Sequence, residues 1–277
     1  MTRAEAIDYA RARLEEAGFP SAIAYFESIQ LLEYITGERG AAFWLGRSNE
    51  LKPAEEAHLS DVLERRASRE PLQLIIGSVN FMGLDIKTAP GVLVPRPETE
   101  RLVELALELL PVVSTARVLD AGTGSGVIAL ALKYKRPAIR VFASDIDSRA
   151  LNLAAKNAHL TGLKVEFLHS SLTAGLRELD LIVSNPPYLN ENYRESAPPE
   201  LAWEADLALY AGPDGLKVAL PLLGEAWSAL KPGGWLLIEL SPENVHSLAA
   251  EARNYGFKEV KVLQDLTGRE RFLRARR

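Results

Sequence analysis

The chain has 277 residues, 47% hydrophobic and 25% charged, enough apolar material for a sizeable core in one large or two smaller domains. It contains no cysteine, which excludes disulfides, thiolate chemistry and Cys-ligated metals. The net charge of −5 argues against non-specific affinity for nucleic acid, and the apolar runs fall short of the ~18 residues of a membrane span.

The opening "MTRAEAIDYARARLEEAG" is amphipathic and rich in acids, unlike a secretory signal or a transit peptide, so a cytoplasmic location is expected. Thr2 and Glu5 have capping-box spacing, Ile7, Ala10, Leu14 and Ala17 mark one helix face, and Gly18 is a stop signal. A second helix is predicted over 21–36, with Ile29, Leu32 and Ile35 inward and Gly37 after it. A third starts at Pro53 and runs to about Ser68. Residues 1–72 therefore read as a small helical bundle. "QLIIGSVNFMGLDIKT", centred on Gly83, reads as a β-hairpin. "PGVLVPRPETE" follows, with three prolines in eleven residues, as a rigid connector. Residues 73–97 thus link the bundle to a second domain over 98–277.

From there strands and helices alternate. "RLVELALELL" is a helix, "ARVLDA" a strand, "VIALALKYK" a helix, "IRVFASD" a strand and 148–160 a helix. "KVEFL" and "LDLIVS" are strands. Residues 215–230 are helical, "GWLLIELS" is a strand, 243–255 is a helix, and "EVKVLQ" and "RFLRAR" are closing strands. The repeat implies an α/β domain with a mainly parallel, doubly wound sheet. Ligands bind such sheets at the carboxyl ends of the strands, near the switch point.

Three motifs lie at such ends. "VLDAGTGSGVIAL" places Asp120 at the end of a strand and Gly122, Thr123, Gly124, Ser125 and Gly126 in the turn to a helix. Glycines there let a backbone approach a phosphate or another polar cofactor group. The alternative is a tight turn with no ligand. Val127 breaks the dinucleotide pattern, and no Gly-Lys-Ser/Thr follows to make a P-loop. The next strand ends in "ASDIDSRAL", where Asp145 is placed to take the two hydroxyls of a ribose. Asp147 or Ser148 suits the helix cap better. The third motif, "LDLIVSNPPYLN", leaves a strand at Ser184 into a stiff loop of Asn185, Pro186, Pro187 and Tyr188. A plain proline-rich loop is the alternative to a site. His58, His159, His169 and His246 have no metal-ligand spacing, and no metal is expected.

The glycine turn with an acid after the next strand resembles the S-adenosylmethionine (AdoMet) site of class I methyltransferases. That resemblance implies a Rossmann-like, mainly parallel seven-stranded sheet, with S-adenosylhomocysteine as product. It places Asp120 near the positively charged methionine portion. Ser171 stands where relatives usually carry an Asp, with Leu172 beside the adenine. Asn-Pro-Pro-Tyr is similar to the substrate motif of methyltransferases that act on planar nitrogens, either of adenine or of a glutamine amide. Such a nitrogen is a poor nucleophile because its lone pair is delocalised. The Asn185 side-chain oxygen and the Pro186 carbonyl would accept its two N–H bonds, and Tyr188 would pack on the flat group.

The whole chain resembles the PrmC/HemK family, the protein-(glutamine-N5) methyltransferases of peptide-chain release factors. The segments that carry this are "REPLQLIIGSVNFMGLDIKT", "GVLVPRPETERLVE", "DAGTGSGVIALAL", "DIDSRALNLAAKNA", "LDLIVSNPPYL", "AGPDGL", "LKPGGWLLIEL" and "DLTGRERFLRAR". The resemblance implies methyl transfer to the Gly-Gly-Gln glutamine of class 1 release factors. AdoMet would be held by Gly122–Gly126, Asp145, the Leu172 region and Asn185. The amide would be held by Asn185 to Tyr188, and the release factor body by the helical domain. A monomer with no nucleic-acid or membrane partner is expected.

Ala121 stands where relatives often have Leu, and "ELSPEN" replaces a Glu-Ile-Gly stretch, a change expected at the sheet edge. Arg96 and Glu98 either line the entrance or form a salt-bridged hinge between domains. "RERFLRARR" reads as a solvated edge. Two rivals share these motifs: an adenine or guanine N-methyltransferase of nucleic acid, which should add a basic surface, and a catalytically dead AdoMet-fold scaffold.

Overall fold

The computed structural model describes residues 1–112 and 115–277. They form two compact units, Met1–Ser78 and Val79–Arg277. The first unit contains helices α1 (Arg3–Glu16), α2 (Ser21–Thr36), α3 (Ala41–Leu45), α4 (Pro53–Ala67) and α5 (Leu72–Ile76). The capping box at Thr2 is formed: its hydroxyl accepts from Glu5 N at 3.3 Å and its N–H donates to the Glu5 carboxylate at 2.7 Å. Two backbone donors that a helix start leaves orphaned are thereby satisfied. Ile7, Ala10, Leu14, Leu31, Leu32, Leu59 and Val62 pack with Phe43 in one core, and Ile29 and Ile35 lie at its margin. The stripe of α2 that turns inward is Ala24, Ser28, Leu31 and Leu32. Buried Ser28 is satisfied by donating to the Ala24 carbonyl at 2.6 Å.

Residues 73–76, read from sequence as the start of the hairpin, are helical instead, as part of α5. Pro71 precedes this turn, and Gly77 ends it at φ +79°, with its N–H donating to the Gln73 carbonyl at 2.9 Å. A short apolar run carries no distinct period, so its flanking Pro and Gly decide. The hairpin itself is β1 (Ser78–Phe81) and β2 (Leu84–Lys87). Met82 and Gly83 both take positive φ at its tip, as a two-residue hairpin turn requires.

The larger unit continues with α6 (Glu98–Leu109), β3 (Arg117–Ala121), α7 (Val127–Lys135), β4 (Arg140–Asp145), α8 (Ser148–Thr161), β5 (Glu166–His169) and β6 (Leu179–Ser184). A long connection holds two 3₁₀ turns, at Glu191–Glu195 and Pro199–Trp203, and α9 (Asp206–Leu209). Then come α10 (Ala219–Ala229), β7 (Leu230–Glu239), α11 (Val245–Asn254), β8 (Lys258–Gln264) and β9 (Glu270–Arg276).

The sheet order is β5-β4-β3-β6-β7-β9-β8. Strands β5 to β7 pair in parallel, and β9 is antiparallel to both β7 and β8. Alternate residues feed two cores. Val118, Val141, Leu181 and Val183 pack on one face with α6, α7 and the hairpin. Leu119, Phe142, Ile182 and Leu236 pack on the other with α10 and α11. The chain runs outward through β3, β4 and β5, then returns to place β6 beside β3. The switch point therefore lies between the carboxyl ends of β3 and β6.

Two segments expected at the sheet edge lie inside it. "RERFLRARR" is not a solvated edge: β9 lies inside the sheet, with Phe272, Leu273 and Ala275 buried. Its paired charges flank these apolar positions: Arg271 pairs with Asp265 at 3.0 Å and Arg276 with Glu259 at 2.7 Å. "ELSPEN" is likewise internal, because it leaves the carboxyl end of β7 next to β6. Residues 215–218 stay outside α10, since Gly215 takes φ +72° in a turn.

Candidate active site

A cavity of about 280 Å³ opens at the switch point. Its wall includes Gly122, Thr123, Gly124 and Ser125 after β3, Asp145 at the end of β4, Leu172 after β5, and Asn185, Pro186 and Pro187 after β6. Four separate sequence motifs thus meet in one concavity. Asp120, Gly126 and Tyr188 do not line it.

The glycine turn is locked from behind. Both Gly122 N and Thr123 N donate to the Ser144 carbonyl at 2.9 Å, which ties the turn to β4. Asn157 on α8 donates to the Ser125 carbonyl at 2.9 Å and exchanges hydrogen bonds with the Lys87 backbone. Gly126 takes φ +83°, and a Cβ there would lie 3.0 Å from the Ala154 Cβ, so close packing of α8 demands glycine. At Gly122 and Gly124 a Cβ would meet no atom within 4 Å, so their positive φ is the constraint.

Asp120 lies beneath this turn, fully buried. One carboxylate oxygen accepts from the Thr123 hydroxyl at 2.6 Å and from Ala129 N at 3.1 Å, at the start of α7. The other oxygen is buried with no partner among the described residues. Burial pushes its pKa up to about 7, the Asp145 charge adds to the rise, and the two donors oppose it. A cation bound above the turn would favour the charged form. An orphaned acid oxygen under an open glycine turn therefore fits a positively charged cofactor such as AdoMet.

Asp145 is oriented by two backbone donors, Gly124 N to one oxygen and Asp147 N to the other, both at 2.9 Å. Its remaining lone pairs are available to a diol. Asp147 caps α8 through Arg149 N at 2.8 Å, which leaves Asp145 free of that task. On the neighbouring strand end, Leu172 takes φ +47°, and its carbonyl accepts from the Ser144 hydroxyl at 2.5 Å.

Asn185 donates its Nδ2 to the Thr99 hydroxyl at 3.1 Å, while its Oδ1 accepts no hydrogen bond from the described residues. The loop after it is stapled. Leu189 exchanges backbone hydrogen bonds with Leu209 and Ala211 at 2.9 and 2.8 Å, and Asn244 donates to the Tyr188 carbonyl at 3.0 Å. Any Cβ at Gly215 would collide with that same carbonyl. The Tyr188 ring packs against the core shared with α10 and α11, and burial raises its phenol to about 12. It stays neutral.

Arg96 lines the cavity and pairs with Glu204 at 2.6 Å. Both residues belong to the larger unit, so this pair joins the proline-rich connector to the long connection and is no hinge between domains. Burial raises the Glu204 pKa, and Arg96 opposes the rise. Trp203 O accepts from Gly91 N at 2.9 Å, a second tie between the same segments.

Thr99, Gly215, Asn244 and the wall formed by Ala205, Leu207 and Ala208 carry no signal of their role in the sequence alone. Thr99 and Gly215 sit inside quoted motifs, but their partners are far along the chain. The histidines lie elsewhere: His169 meets the Ile146 carbonyl, His246 meets Glu270, and His58 packs edge-on to Tyr34. Among the described residues no group of three or more metal-ligating side chains assembles.

A seven-stranded sheet of this order, with a glycine turn and an acid on adjacent strand ends, defines the class I methyltransferase fold. A methyltransferase from Pyrococcus furiosus shares it, with a TM-score of 0.54 at 22% identity over 70% of this chain and 89% of that one. Residues 83–212 match the methyltransferase small domain, and residues 5–77 match the PrmC N-terminal domain. The release factor glutamine methyltransferase of Deinococcus radiodurans is 51% identical over 97% of this chain and 96% of that protein. That of Koribacter versatilis is 37% identical over 97% and 96%. The chain belongs to the release factor glutamine methyltransferase family.

Proposed function

We propose that the chain transfers a methyl group from AdoMet to the side-chain amide nitrogen of the glutamine in the Gly-Gly-Gln loop of class 1 release factors. The observation that carries this reading is the shared cavity. It puts the glycine turn and Asp145 beside Asn185-Pro186-Pro187, in a chain whose relatives match it over nearly its full length.

AdoMet supplies an electrophilic methyl carbon on a sulfonium. The residues of the chain do the positioning. The Gly122–Ser125 backbone and Asp145 would hold the cofactor, with Asp145 as the acceptor for its ribose hydroxyls and the Leu172 region available to its adenine. Asp120 stabilises the turn and favours a positive charge above it. Asn185 Oδ1 and the Pro186 carbonyl accept the two N–H bonds of the substrate amide. They aim its nitrogen and stabilise the positive charge that develops there. Pro187 stiffens the loop, and Tyr188 anchors it in the core. Once the nitrogen has gained a methyl it is acidic, and its proton leaves to solvent, so no dedicated base is required.

The first unit would dock the body of the release factor. The protein would act as a cytoplasmic monomer. Among the described residues no helix is long and apolar enough to cross a membrane. The test is to incubate the purified protein with AdoMet and either a class 1 release factor or total RNA. The reading expects one methyl on the release factor and none on RNA; methylated RNA with an unmodified release factor would overturn it.

A further inference from the structure

The cavity contains a polar contact that the transfer scheme leaves unused. Asn185 is an amide whose two ends differ chemically, and only Oδ1 can accept from a substrate N–H. Nothing in the loop itself selects that orientation. Thr99, at the start of α6 and 2% exposed, receives Asn185 Nδ2 at 3.1 Å. Glu239, at the end of β7 and 1% exposed, has Oε2 buried with no hydrogen-bond partner among the described residues, and the Thr99 hydroxyl is the side-chain donor that holds its pKa down.

A threonine hydroxyl has one proton, and an ionised carboxylate can only accept. When Glu239 is charged, the Thr99 proton is committed to it. Thr99 can then only accept from Asn185, so Nδ2 must face Thr99 and Oδ1 must face the cavity. We propose that Thr99, set by Glu239, is a positioning residue that orients the Asn185 carboxamide with its oxygen toward the substrate amide. This rests on the methyltransferase reading above and adds a residue pair to it.

The state of Glu239 matters to this arrangement. Burial raises its pKa to about 7; the Thr99 hydroxyl and Arg271 hold it down, and Glu98 and Asp265 push it up. The Tyr188 phenol also feels its charge. Once protonated, Glu239 can donate to Thr99. The Thr99 proton is then free to turn to Asn185 Oδ1, and the amide can reverse. Orientation, and with it kcat, falls as pH drops through about 7.

Two readouts test this. The first is the side-chain amide resonance of Asn185 in protein labelled at asparagine nitrogen, identified by its loss in Asn185→Ser. In the wild type it should shift with the titration of Glu239, and in Thr99→Val and Glu239→Gln that shift should vanish. The second is turnover on a release factor. Thr99→Val should lower kcat by roughly tenfold, the worth of one hydrogen bond, with both KM values unchanged. Thr99→Ser should restore it. Glu239→Gln probes the same network without touching the threonine, so a Thr99→Val protein that fails to fold does not decide the matter. An Asn185 resonance indifferent to pH and to Glu239→Gln, or a folded Thr99→Val enzyme with wild-type kcat, would overturn the inference. A wild type that methylates no release factor would overturn the functional reading instead, and the resonance would still judge the orientation.

Discussion

Replacing Asp145 by alanine removes the acceptor assigned to the ribose. Gly124 N and Asp147 N each hold one oxygen at 2.9 Å, so the carboxylate is oriented before any ligand arrives. Little ordering entropy is lost there on binding. Each hydroxyl donating to a charged acceptor is worth about 1.5–3 kcal/mol, so the pair contributes ~3–6 kcal/mol. Alanine should therefore weaken AdoMet binding by about 10²–10⁴-fold, at 1.4 kcal/mol per tenfold. Asparagine should fall between the two. It keeps one oxygen, but its NH₂ must face one of the two backbone donors. Calorimetric titration with AdoMet measures all three proteins, and thermal melting without ligand checks that each is folded. A folded Asp145→Ala protein that binds within about threefold of wild type, less than one hydrogen bond, would refute the assignment.

Other substitutions probe the rest of the site. Asn185→Ala should cut kcat by about 10²–10³-fold while leaving release-factor binding nearly unchanged, as steady-state kinetics and a binding isotherm would show. Gly126→Ala forces a side chain into the left-handed region at φ +83° and against Ala154. It should cost about 2–4 kcal/mol in chemical denaturation. Asp120 and Glu239 both have folded pKa values raised to about 7. Folded protein then holds protons that the unfolded chain releases. Their contribution is present at acid pH and is lost as pH rises toward 7, at up to about 1.4 kcal/mol per group and pH unit. Asp120→Asn should flatten this slope in melting curves recorded between acid and neutral pH; an unchanged slope would contradict the burial argument.

Local pattern reached far into this fold. α7 begins at its apolar run and β6 ends with its own, because Gly126 and Asn185-Pro186 punctuate them. The glycine turn, Asp145 and Asn185 were legible for the same reason: each is a breaker at the end of a strand. Long-range partners were not legible. Thr99 and Asn185 are 86 positions apart, and only the sheet order brings them together. "ELSPEN" read as an edge because strand order cannot be seen in a run of residues, yet its Asn244 holds the Tyr188 carbonyl. β9 misled similarly. Its arginines suggested solvent, while alternate positions carry Phe272 and Leu273 into two opposite cores. The helix at 72–76 was hidden because a five-residue run with four apolar side chains suits either structure.

The proposed acceptor of the methyl group is a glutamine side-chain nitrogen. It is tested most directly by peptide mapping of a class 1 release factor after incubation with this protein and AdoMet, beside a copy whose Gly-Gly-Gln glutamine is replaced by alanine. A single added methyl is expected on that glutamine side chain and none on the replaced copy. A methyl group on another residue, or equal methylation of both copies, would contradict it.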